Sequence, residues 1–152
     1  VHHDLDARLA GRAMTVTGEA LPRRTFRVTR GDLVRYAAAS GDHNPIHWSD
    51  SRAAAVGLPG VIAHGMLSMG LVATAVTDWA GEGTAVSEYS TRFSRPVLVP
   101  DTDEGVTLTV DGKVVELRPD GTLRVDLTVS CGGSKVLART RALLAPGGAA
   151  HT

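Results

Sequence analysis

Cysteine is nearly missing: Cys131 stands alone among 152 residues, so neither an intrachain disulfide nor a multi-cysteine zinc site can form. That usage fits a reducing, cytoplasmic setting, and nothing in Cys131-Gly132-Gly133-Ser134 supplies a base to activate the thiol. Net charge is missing as well. Sixteen Lys and Arg balance sixteen Asp and Glu, which leaves no field to gather nucleic acid or an anionic membrane surface. Aromatic residues make up 4%, too few for stacking platforms for sugars or unpaired bases, so an aliphatic ligand is expected. The N-terminal stretch lacks the apolar core of a signal peptide, and no internal repeat or low-complexity linker is visible. What remains has the size of one compact domain with its own core. We expect a poorly ordered extension over 1–13, one domain over 14–147 and a short tail over 148–152.

Turn and cap chemistry divides that domain. Leu21 to Thr29 alternates apolar and basic residues after Pro22 and predicts an edge strand. Thr29-Arg30-Gly31-Asp32 has the form of a capping box, so a helix follows, with Leu33, Val34, Tyr36, Ala37 and Ala38 on its apolar side and Ser40-Gly41 as its stop. Asp42 to His47 is an ordered loop or turn, because Pro45 lacks an amide hydrogen and biases Asn44 away from helical angles. Ser49 caps a short helix that Gly57-Leu58-Pro59-Gly60 breaks. From His64 to Ala80 the chain is apolar almost all round, which predicts a buried helix. Ser68, Thr74, Thr77 and Asp78 favour burial under the protein's own sheet over a membrane span. Four β-rich stretches follow, Thr84 to Phe93, Gly105 to Leu117, Thr122 to Ser130 and Lys135 to Leu144. Arg118-Pro119-Asp120-Gly121 and Cys131-Gly132-Gly133-Ser134 read as hairpin turns joining the last three. The expected class is α+β, an antiparallel sheet curled around a long buried helix.

Asp42 and His47 lie on one irregular segment that can aim a carboxylate and an imidazole at a single water, with the Asn44 amide holding the same water. An unperturbed histidine near pKa 6.5 suits proton transfer at neutral pH. On spacing alone, loop hydrogen bonding by Asp42 and Asn44 with packing of His47 serves equally well. His43 and His47 have the spacing of helical zinc ligands, with His64 downstream, yet Pro45 between them disrupts the helix such a site needs and no Glu takes the base position, so no metal is expected. Ala63-His64-Gly65 falls at the start of the buried helix, where the Gly65 amide can face an oxyanion; packing under a crossing strand explains Gly65 as well. Met66 and Met69 are candidates to line an acyl tunnel, with core filling as the alternative. Arg92 and Arg95 are candidates for the phosphates of a carrier, with ordinary solvation as theirs.

Asp42-x-Asn44-Pro45-x-His47, followed by Ala63-His64-Gly65 and an apolar helix, resembles the MaoC-like (R)-specific hydratases and dehydratases of the hot-dog fold. Residues 41–48, 62–67 and 88–93 are similar in particular to the catalytic B subunits of heterodimeric (3R)-hydroxyacyl-ACP dehydratases. The resemblance implies a single hot-dog domain and reversible hydration of a trans-2-enoyl thioester, linked to CoA or to ACP, without metal or redox cofactor. It implies further that Asp42 and His47 activate the water, Asn44 supports it and the Gly65 amide stabilises the thioester enolate. His64, Met66, Met69, Arg92 and Arg95 are carried as candidate substrate contacts. A short sheet with an open edge predicts a dimer, with an identical chain or with a related hot-dog subunit. A hot-dog thioesterase and a non-catalytic subunit are the rival readings.

Overall fold

The strand that opens the fold passes straight into a helix because Thr29 serves both. A computed structural model describes residues 17–147; the extension expected over 1–13, residues 14–16 and the tail over 148–152 lie outside the described residues. Arg24–Val28 forms β1, and at Thr29 the backbone is still extended. The Thr29 amide donates to the Asp32 carboxylate at 2.8 Å, and the Asp32 amide donates back to the Thr29 hydroxyl at 3.3 Å. This reciprocal pair is the expected capping box, and it starts α1 (Arg30–Ser40). Gly41, at φ 78°, ends α1 in the left-handed region, with its amide on the Ala37 carbonyl. Leu33 and Ala37 face the core, whereas Val34, expected on the apolar side, is 59% exposed. The loop that follows contains one turn of 3₁₀ helix over Pro45–His47, capped by the Asn44 side chain on the Ile46 amide. Ser49 caps α2 (Asp50–Ala55), and α3 spans Gly65–Ala80.

The strands are β2 (Thr84–Phe93), β3 (Val106–Leu117), β4 (Leu123–Cys131) and β5 (Ser134–Pro146), within a residue or two of the sequence expectation. They form one antiparallel sheet in the order β1-β3-β4-β5-β2, with β3, β4 and β5 joined by the two expected hairpins. Alternate residues point to the helix side: Leu108, Val110 and Val114 from β3, then Leu123, Val125, Leu127 and Val129 from β4, all buried. On β5 that alternation slips. An extra residue at Val136, between the pairs Val129–Leu137 and Ser130–Lys135, leaves Val136 and Leu137 buried in succession, and at Arg139, φ 50°, two residues of β5 oppose one on each neighbour before Thr140, Ala142 and Leu144 resume the pattern.

Against this surface α3 lays one stripe, Ser68, Val72, Ala75 and Val76, at helical spacing. A single sheet can cover only one side of a helix, so Leu67, Met69, Leu71 and Trp79 are half-buried and Met66 is 59% exposed, although the sequence is apolar on every side. The Trp79 ring reaches the sheet through Gly112 of β3, and its indole donates to the Pro22 carbonyl at 3.0 Å. A Cβ on Gly112 would stand 2.8 Å from two Trp79 ring carbons and 3.0 Å from Leu21. Gly112→Ala is therefore expected to destabilise the fold by about 1 to 3 kcal/mol in urea unfolding through overpacking. An unchanged midpoint would show that Trp79 can move aside freely.

Candidate active site

Two stretches distant in sequence are laced together by three hydrogen bonds. The Ile62 amide donates to the Ile46 carbonyl at 3.2 Å. His47 Nδ1 lies 2.7 Å from the Ile62 carbonyl, and His64 Nε2 lies 3.1 Å from the Asp42 carbonyl. A carbonyl oxygen only accepts, so each of these ring nitrogens carries its proton and donates. With Nδ1 so engaged, Nε2 is the nitrogen of His47 that faces Asp42. Nε2 is 3.9 Å from Asp42 Oδ2, too long for a direct hydrogen bond and short enough for one water to touch both atoms. The ring of His47 is 8% exposed, whereas the Asp42 side chain is about half exposed. Asp42 Oδ1 accepts the Asn44 amide at 3.2 Å, and the Asn44 side-chain oxygen is taken by the Ile46 amide. The Asn44 NH2 group makes no hydrogen bond among the described residues.

His47 opens on a cleft of about 310 Å³ whose lining includes Gly65, Ser68, Phe93, Arg95 and Leu137. Gly65 is the first residue of α3. No side chain caps that end, and the Gly65 amide has no hydrogen-bond partner among the described residues. The positive end of the helix dipole therefore faces the cleft with a donor to spare. The missing side chain matters for packing as well, since a Cβ on Gly65 would lie 2.9 Å from Phe93 Cε1. Phe93 is thus the close neighbour that the packing reading of Gly65 calls for. Residues 94–99 complete the far wall. The Ala63 amide donates to Val97, the Val99 amide donates to Val61, and the Ser94 and Arg95 amides both donate to Val136. This segment carried no sequence signal beyond Arg95, and its contribution emerges only from the pairing of Ile62 with Leu98.

The sequence profile of the MaoC like domain matches residues 13–130. The chain belongs to this family. Mycobacterium tuberculosis 3-hydroxyacyl-thioester dehydratase X is 44% identical over 81 residues, which cover 53% of this chain and 28% of that protein. The 3-hydroxybutyryl-CoA dehydratase of Methylorubrum extorquens is 33% identical over 112 residues, 72% of this chain and 68% of that protein. Among solved structures, a MaoC-like dehydratase superposes with a TM-score of 0.81 at 38% identity, covering 94% of this chain and 45% of the other. The ChsH1-ChsH2 complex from Mycobacterium tuberculosis gives 0.76 at 25% identity, covering 88% and 99%. This MaoC-like chain spans less than half the length of two of these relatives. The curled sheet with its single long helix is the hot-dog fold.

In this MaoC-like domain His47 and Gly65 line the cleft, whereas Asp42 and Asn44 are not among its lining residues; Asp42 stands 3.9 Å from His47 Nε2 and accepts the Asn44 amide. The other sequence candidates are distributed differently. Arg95 lines the cleft, whereas Arg92, Met66 and Met69 are not among its lining residues. The Met69 carbonyl accepts the Tyr89 hydroxyl at 2.9 Å, and burial pushes that hydroxyl up to about 12, so it remains a donor. His64, expected as a substrate contact, is 1% exposed and stacks behind His47, with ring centroids 3.7 Å apart and planes 24° apart. Asp42, His47 and His64 offer ligand-type atoms within 4.8 Å of one another. Metal ligation needs lone pairs that converge at about 2.0 to 2.1 Å, and those of two stacked, nearly parallel rings run side by side instead.

Burial moves the His64 pKa below 6.5, with proximity to His47 acting the same way against the hydrogen bond to Asp42. A base whose folded pKa is lowered binds its proton more readily when unfolded, so stability rises with pH through the unfolded value and falls below it. The melting temperature is expected to drop as pH falls from about 7 to about 5.5, and His64→Phe, which cannot titrate, should flatten that slope. Equal slopes in the two proteins would contradict a buried neutral His64.

Proposed function

We propose that this domain catalyses the reversible addition of water to a trans-2-enoyl thioester, giving the (3R)-hydroxyacyl thioester, on a CoA or acyl-carrier-protein substrate. The observation that carries this reading is the placing of His47 Nε2 3.9 Å from the Asp42 carboxylate, with Nδ1 engaged by the Ile62 carbonyl, beside an uncapped helix N-terminus. A water between the two groups loses a proton to the pair as its oxygen bonds to the β-carbon. The double-bond electrons shift through the α-carbon to the thioester oxygen, where the Gly65 amide meets the developing charge. The pair then returns a proton to the α-carbon, and dehydration retraces these steps. One preorganised donor at such an oxygen is worth about 3 to 4 kcal/mol of barrier. The family and its named dehydratases support the reaction class; the (3R) outcome is inferred from that kinship alone. The lone, half-buried Cys131 is in keeping with a cytoplasmic setting. Among the described residues no helix is long and apolar enough to cross a membrane, which says nothing of strands.

We propose further that the working unit pairs this domain with a second hot-dog subunit. Among the described residues β2 pairs only with β5, which leaves its other edge open, and Val86 and Phe93 on β2 are 38% and 52% exposed. The apolar flank of α3 is half-uncovered in the same chain. The likeness to the ChsH1-ChsH2 complex supports a partner of related fold, and a second copy of this chain is equally compatible. Light scattering at micromolar concentration should report a dimer, alone or with a related subunit; a fully active monomer would contradict this.

The chemistry is tested by loss of enoyl absorbance without release of free thiol, since thiol release would mark a thioesterase. Asp42→Asn and His47→Gln should each lower turnover by about 10² to 10⁴ while the chain stays folded. Because both act on one water, the double variant should be scarcely slower than either single one. Near-normal turnover in either folded variant would end this mechanism. Gly65→Val should lower turnover strongly with little loss of melting temperature, because the Phe93 ring it displaces is half exposed and can swing away. A large loss of melting temperature with full turnover per folded molecule would make Gly65 a packing residue only.

A further inference from the structure

Asp42 is held weakly by its own neighbours. Among the described residues its side chain accepts the Asn44 amide two residues on and stands 3.9 Å from His47 Nε2, and its amide meets the Ser40 hydroxyl two residues back. It follows Gly41, whose left-handed turn has released the chain from α1. Among the described residues the bond that reaches Asp42 from another part of the fold is the one from His64 Nε2 to its carbonyl, at 3.1 Å. His64 stands at the junction of α3, 1% exposed, with the His47 ring on one face and the Tyr36 ring 4.8 Å away at 57°. Its second nitrogen, Nδ1, is buried with no partner among the described residues. A buried lone pair costs free energy that a hydrocarbon ring in the same place would avoid. Its retention points to a task for the opposite nitrogen.

We infer that His64 is the positioning residue of this site: its Nε2–H fixes the Asp42 backbone relative to the start of α3, while its ring face backs His47. It touches no reacting atom. One rigid element thereby carries three placements, the Gly65 amide directly, His47 through the stack, and Asp42 through the hydrogen bond. The titratable groups that face His64 are Asp42, His47 and Tyr36, and the neutral Nε2–H form is the one that satisfies the Asp42 carbonyl without adding a charge beside His47.

The inference rests on the hydration reading for its effect on rate, and the test separates the two. His64→Phe keeps a ring against His47 and removes the donor. His64→Gln keeps an N–H near the place of Nε2 and removes the stack. In the full chain, His64→Phe should lower kcat by roughly 10²-fold with KM changed by less than about threefold, as misplacement of a catalytic group does, and His64→Gln should recover to within about tenfold of wild type. Independently of turnover, the Asn44 amide, which Asp42 holds, should shift in NMR spectra of His64→Phe and return toward its wild-type position in His64→Gln. Long-range ¹H–¹⁵N spectra of the wild type should show His64 neutral with its proton on Nε2. An unmoved Asn44 amide in His64→Phe, or a proton on Nδ1, overturns the positioning role whatever the activity. A wild-type chain that fails to hydrate enoyl thioesters while the Asn44 amide responds as described overturns the hydration reading and leaves the positioning role standing.

Discussion

The hydrogen bond from His47 Nδ1 to the Ile62 carbonyl, 2.7 Å long, sets the state of the whole site. An imidazole free to choose would divide its proton between two nitrogens, and only one of the two forms leaves a lone pair toward Asp42. By spending Nδ1 on a backbone oxygen, the protein settles that choice before any ligand arrives. The acceptor is itself held on both sides, since Ile62 pairs with Ile46 through its amide and with Leu98 across a β-bridge. The orientation of one ring therefore depends on loops anchored in α1, in α3 and at the end of β2.

The sheet contributes more than a floor. The bulge at Arg139 turns Leu137 toward the cleft while Thr140 rejoins the interior, where its hydroxyl meets that of Thr91 at 2.7 Å. Without the extra residue, strict alternation would place Leu137 and Thr140 on opposite faces. The same region of the sheet delivers Phe93 onto Gly65. One local irregularity in β5 thus shapes the wall opposite His47, and the left-handed backbone of a non-glycine residue is the strain that accompanies it.

Features written in local chemistry were legible from sequence. The Thr29/Asp32 box, the Gly41 stop, the two hairpin turns and the bounds of β2 each depend on residues within a few positions of one another, and so does the placing of Asp42 and His47 on one segment. What depended on distant partners was not. The sequence gives no hint that Phe93 fills the space above Gly65, that Val97 and Val99 tie residues 61–63 into the wall, or that β5 slips register at Arg139. His64 illustrates the limit most plainly. It was carried as a candidate substrate contact, and only the packing of α3 against the Asp42 loop turns its ring inward, behind His47. The apolar circumference of α3 was legible too, but not that one sheet would cover a single stripe of it.

The pairing of Ile46 with Ile62 has a consequence for how such a protein can change. The chain leaves the site after His47 and re-enters it at Val61, and those two points are already stitched together. Everything between them, α2 included, is an excursion that starts and finishes at the same address, moored on its way by Asp50 to Arg30 and to the Val61 amide. Lengthening a closed loop costs little entropy once its ends are joined. A lineage can therefore exchange this cassette for a longer or shorter one and remodel the surroundings of the cleft, while the two histidines and the aspartate keep their mutual distances.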